Sequence, residues 1–93
     1  MELDADKIIE AIKEKFPGTK VNEWDAMNPR SFYYSLWFFN IPNVDGEIQI
    51  ESTSGNCPFL VESCLNDDRY NGDTVEEVVS IIEKLVVTYS KQG

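Results

Sequence analysis

Histidine is missing from this 93-residue chain, and cysteine occurs twice, at Cys57 and Cys64. Without histidine the usual proton carrier near neutral pH is absent. Two cysteines and no histidine are also too few ligands for a structural zinc site. Cys57 and Cys64 lie in a stretch read as one extended strand, which separates their Cα atoms by about 23 Å at roughly 3.3 Å per residue. A disulfide needs them within about 7 Å, so two free thiols are expected, as suits a reducing compartment. No apolar run approaches the roughly 20 residues that span a bilayer. The start MELDADK has neither a basic nor an apolar leader region. The chain is therefore expected to be cytoplasmic and not bound to a membrane.

Catalytic signatures are absent as well: there is no GxSxG, no phosphate-binding loop, no GxGxxG and no paired CxxC. Carboxylates alone need a cleft that drives their pKa values apart, and a two-layer domain of this size has little room for one. The expectation is a protein that is not an enzyme, with no catalytic residue, no metal and no cofactor. The stretch DDRYNGD invites a calcium reading. With Gly72 at the glycine position of an EF-hand, however, Arg69 falls at the third ligand and Val78 at the bidentate glutamate. A solvated loop over residues 66–73 is the expectation there.

Bases are scarce, with 8 lysines and arginines against 17 acids and a net charge of −9. The imbalance is concentrated in residues 31–83, where Arg69 is the sole base. Such a field repels phosphate backbones and favours basic partners, besides keeping a small chain soluble.

What is present is periodic. Ala5, Ile8, Ile9, Ile12 and Phe16 share one helical stripe, with Asp4 or Asp6 as cap and Pro17–Gly18 as the stop. At the other end Val75, Val78, Val79, Ile82, Leu85, Val86 and Tyr89 form a second stripe, opened by a Thr74/Glu77 capping box, with Lys91 near its negative pole. Between them, residues 19–24 can form a short edge strand, and 25–30 read as a loop with Asn28–Pro29 as its turn. SFYYSLWFFN, residues 31–40, places six aromatics in ten positions and reads as a strand. EIQIE, residues 47–51, alternates cleanly after an Asp45–Gly46 turn. CPFLVESCL, residues 57–65, reads as another strand, with Phe59, Val61 and Leu65 on one face and Leu60, Glu62 and Cys64 on the other. Together these predict a single α+β domain over 1–93. It has two layers, an antiparallel sheet of three to four strands, and N- and C-terminal helices packed on one face.

Two helices cover one sheet face and leave the other open. A two-residue turn at Asp45–Gly46 would pair Ile41 with Ile50, sending Trp37, Phe39 and Ile41 inward. Phe32, Tyr34 and Phe38 would then join Glu47, Gln49 and Glu51 on the open face; a wider loop would reverse the set. Those six residues are the candidate partner site, since a large exposed apolar patch marks an interface. A loop 17–30 folding back over the rings, with Trp24 and Met27 as the cover, is the alternative. The element order is similar to that of double-stranded-RNA-binding domains, which grip phosphate with a basic second-helix N-terminus. Here that position reads GDTVEE, so no nucleic acid is expected. Order and acidity also resemble small acidic chaperones and immunity-type inhibitors. The expected function is a binding module for a basic protein, with a homodimer buried through the aromatic face as the alternative.

Overall fold

The computed structural model describes residues 3–27, 33–44, 46–53, 55–63 and 68–90, with backbone alone at 25–27, 33 and 34. The Asn28–Pro29 turn, Phe32, Asp45, Cys64, Leu65, Asp67 and Lys91 lie outside the described residues. The chain runs α1 (Asp4–Lys15), β1 (Lys20–Met27), β2 (Tyr33–Asn40), β3 (Ile48–Ser52), β4 (Phe59–Ser63), β5 (Arg69–Gly72) and α2 (Val75–Tyr89). The five strands form one antiparallel sheet in chain order. It is a two-layer α+β fold as expected, with five strands in place of three to four.

Both helix stripes are where the periodicity puts them. Ala5, Ile8 and Ile12 of α1 and Val78, Val79, Ile82, Leu85 and Val86 of α2 are buried in one cluster. The same cluster takes in Trp37, Phe39, Ile41, Ile48, Ile50, Phe59 and Val61. All the strand members belong to one sheet face, so both helices lie on that face. The Trp37 and Phe59 rings meet edge-on at 6.0 Å between centroids, the arrangement that aromatic quadrupoles favour. Lys15 and Glu83 join the helices at 3.2 Å.

The helix starts differ from expectation in detail. Leu3, not Asp4 or Asp6, is the N-cap of α1, and it has no polar side chain to offer. Asp6 closes the turn by accepting from the Leu3 N–H at 3.1 Å. The free first-turn donors of Asp4 and Ala5 go instead to the Asn56 Oδ1 and the Gly55 carbonyl, and the Asp4 carboxylate accepts from the Cys57 N–H at 3.0 Å. A loop between β3 and β4 thus satisfies the groups that a helix start leaves orphaned. In α2 the Thr74 hydroxyl accepts from the Glu77 N–H as expected. Glu77 returns the bond one residue early, to the Asp73 N–H.

The strands bring three corrections. First, β1 continues through Met27, so residues 25–27 are strand rather than loop and cannot fold back as a cover. Second, Arg69–Gly72 is a strand paired with β4, not a solvated loop. Gly72 explains its position: a Cβ there would meet Val78 Cγ2 and lie 3.2 Å from the Val78 backbone. Glycine lets α2 turn in directly over the end of β5. Third, the β2–β3 register pairs Trp37 with Ile50 and Phe39 with Ile48, not Ile41 with Ile50. Pro42 has no N–H for the ladder, and Asn43 and Gly46 take positive φ of 68° and 95°, so the connection opens into residues 41–47. The slip amounts to four residues. An even slip leaves each side chain on its face, so Trp37, Phe39 and Ile41 still point inward.

Ile82 lies fully buried in the middle of α2, and Ser80 is exposed on its back. Ile82→Ala should cost about 2–5 kcal/mol in a denaturant melt, and Ser80→Ala close to nothing. Gly72→Ala should cost about 1–3 kcal/mol by overpacking; an unchanged midpoint would mean that α2 does not approach β5 so closely.

Candidate functional site

The face turned away from the helices is set by register. One cross-strand row reads Asn22, Phe38, Gln49, Glu62, Arg69; the next reads Trp24, Leu36, Glu51, Leu60, Asn71. The first row is polar apart from Phe38 and ends on Glu62 and Arg69; the second sets Glu51 between Leu36 and Leu60. Trp24 is 65% exposed and Leu36 is buried at 9%, while Phe38 and Leu60 are half-buried. Trp24 therefore belongs to the face and does not shield it.

Of the six sequence-derived candidates, three come together. Phe38, Glu47 and Gln49, with Glu62 and Ser63, line a hollow of about 220 Å³. Glu51 lies one row away, between Leu36 and Leu60, and borders a second hollow of about 260 Å³ beside Leu60 and Asn71. Tyr34 pairs with Ala26 at the far end of β2, and Phe32 is beyond the described residues. Trp24, Leu60 and Glu62 complete the face without having been among the candidates. Leu60 and Glu62 could have been placed by extending the period of two across the turn after β3. Trp24 ends the short edge strand expected over 19–24, yet falls to the cover in that reading because the chain reads as a loop from Asp25 onward.

The face is acidic in a limited way. Glu47, Glu51 and Glu62 stand against Lys20 and Arg69. Glu47 accepts from the Asn40 amide at 3.0 Å. Glu62 pairs with Arg69 at 3.5 Å, with the arginine side chain largely in solvent; such a pair contributes about 0–1 kcal/mol and exchanges readily. On the helix side Glu23, opposite Trp37, is exposed, so the helix layer ends before the outer part of β1.

A separate groove of about 310 Å³ lies between β5 and α2, lined by Tyr70, Ile81, Leu85 and Tyr89 with Asp68 and Lys84 at its rim. Among the described residues no three acidic or cysteine side chains are grouped to hold a metal ion. No helix among them is long and apolar enough to cross a membrane. Comparison with known proteins adds no likeness: no family model matches the chain, and no curated protein or solved structure matches it.

Cys57 is the free thiol of the described residues. Burial first, and then the Asp4 carboxylate beside it, push its pKa up to about 11. A thiol so held is a poor nucleophile at neutral pH. The folded chain keeps this proton more tightly than the unfolded one, whose thiol ionises near the ordinary value of 9.0. The stabilising effect is thus whole below pH 9 and is lost as pH rises through about 11. Melts of the native chain and Cys57→Ser should converge across that window; parallel curves would contradict the linkage.

Proposed function

We propose that the chain is a small, non-enzymatic, cytoplasmic protein-binding module, chaperone- or inhibitor-like, whose open sheet face takes a basic protein partner. The observation that carries this reading is the hollow beside Phe38. It gathers an aromatic ring and the side chains of Glu47 and Glu62 around one hollow, on the same face as an exposed Trp24. A lysine or arginine head entering the hollow gains carboxylate acceptors and a ring face together. The Glu62–Arg69 pair supports it, because an incoming guanidinium replaces an exposed partner at little cost. Trp24 and Leu60 would take the apolar residues on either side. A tryptophan at this exposure is the usual anchor of an interface rather than of a core.

An extended peptide of alternating lysine and leucine is a suitable probe. Titrated into the 15N-labelled chain, it should shift the amides of Phe38, Gln49 and Glu62 and leave those of α1 and α2 in place. Glu62→Gln should weaken it about tenfold, the worth of one charge-assisted hydrogen bond, and Trp24→Ala should weaken it without lowering the melting midpoint. Shifts confined to the helices, or none at all, would sink the reading.

A further inference from the structure

Strand β1 ends the sheet and is paired on its β2 side alone among the described residues. An edge strand turns alternate N–H and C=O groups outward, and proteins blunt such edges with proline, bulges or short length. Proline, a bulge and short length are absent here, and the charged side chains that also blunt an edge are present as Lys20 and Glu23. β1 runs eight residues, as long as β2, contains neither proline nor glycine, and keeps an unbroken register. Lys20, Asn22, Glu23 and Trp24 are all exposed along it.

We propose that β1 pairs antiparallel with β1 of a second copy, about a two-fold axis through Asn22. The charges on the strand select that register. A two-fold axis normal to the sheet sets each residue against one of the same face, so the axis must pass through a residue. Through Lys20, Glu23 or Asp25 it opposes a charge to itself, and through Trp24 it opposes Glu23 to Asp25; like charges directly across a ladder are unfavourable. Through Val21 or Ala26 the overlap within β1 shrinks to three residues, and through Met27 to one. Through Asn22 the strands pair over Lys20–Trp24. The two Asn22 amides then face each other, and Val21 lies against Glu23 on the helix side. Lys20 of each copy stands beside Trp24 of the other, a cation over an aromatic ring. The result is one ten-stranded sheet with two open faces side by side. An interface of this extent falls in the weak class, below about 1,200 Å², so the chain is a monomer when dilute and a dimer when concentrated. The pairing does not depend on the partner reading of the open face.

Disulfide trapping tests the register. In a Cys57→Ser, Cys64→Ser background, Asn22→Cys places two thiols on directly opposed residues. Their Cα atoms are about 4.5–5.5 Å apart, inside the window for a disulfide. Trp24→Cys leaves its thiols offset by four residues, about 13 Å along the strand, beyond reach. Under mild oxidation Asn22→Cys should give a covalent dimer and Trp24→Cys should not; any other pattern overturns the pairing. Sedimentation of the otherwise native chain provides the check that needs no cysteine background. Mass should rise toward the dimer between about 10 µM and 1 mM, the range of a weak contact, and Lys20→Glu should abolish the rise. A constant monomer mass to 1 mM, or a rise unaffected by Lys20→Glu, also overturns it.

Discussion

Trp37 and Phe38 are neighbours on β2, and a strand sends neighbouring side chains to opposite faces. Everything else in the molecule follows from which of the two meets the helices. With α1 and α2 both on the Trp37 side, that residue is 3% exposed and packs against Phe59, with Ile48, Ile50 and Val61 filling the same layer. Register then carries the choice outward strand by strand. It fixes Trp24, Phe38, Leu60 and the glutamates on the face that no helix covers. A chain of 93 residues with two apolar stripes has enough helix to bury one side of five strands and no more.

The uncovered side is a mosaic rather than an apolar sheet. Glu51 stands between Leu36 and Leu60, and Gln49 and Glu62 follow Phe38, so polar side chains interrupt the apolar ones. The same spacing puts carboxylates beside aromatic walls, which is what a basic side chain needs in order to bind. The outer half of β1 projects past the helix layer, as exposed Glu23 marks. That is why the sheet has both a usable face and a usable edge in one place.

Much of this was legible in the residues. The helix stripes are set by apolar spacing, and their limits agree within a residue because Pro17 and Thr74 are strong punctuation. EIQIE fixes its own faces by alternation, and the inward set of Trp37, Phe39 and Ile41 survived an error of register because the error was even. What was not legible depends on contacts distant in sequence. RYNG ends in the turn pair Asn71–Gly72 and becomes a strand because β4 offers it a ladder and Val78 needs a neighbour without a side chain. The second half of β1 exists because Tyr33–Ser35 lies opposite it. The α1 cap is supplied by residues 55–57, some fifty positions away. Half of the candidate site was placed by alternation alone. Trp24 lies in the edge strand expected over 19–24, but its place on the open face depends on pairing with Leu36 across the ladder.

The division of the sheet into a core face and an open face is tested most directly by truncating the two neighbours on β2 in turn. Urea melts of Trp37→Ala and Phe38→Ala would be compared with the native chain. Trp37→Ala should lose about 3–5 kcal/mol, the cost of removing a large ring from a packed interior. Phe38→Ala should lose far less and keep the native spectrum. Equal and large losses from both would mean that the sheet is covered on each side, and would contradict the open face from which the site is built.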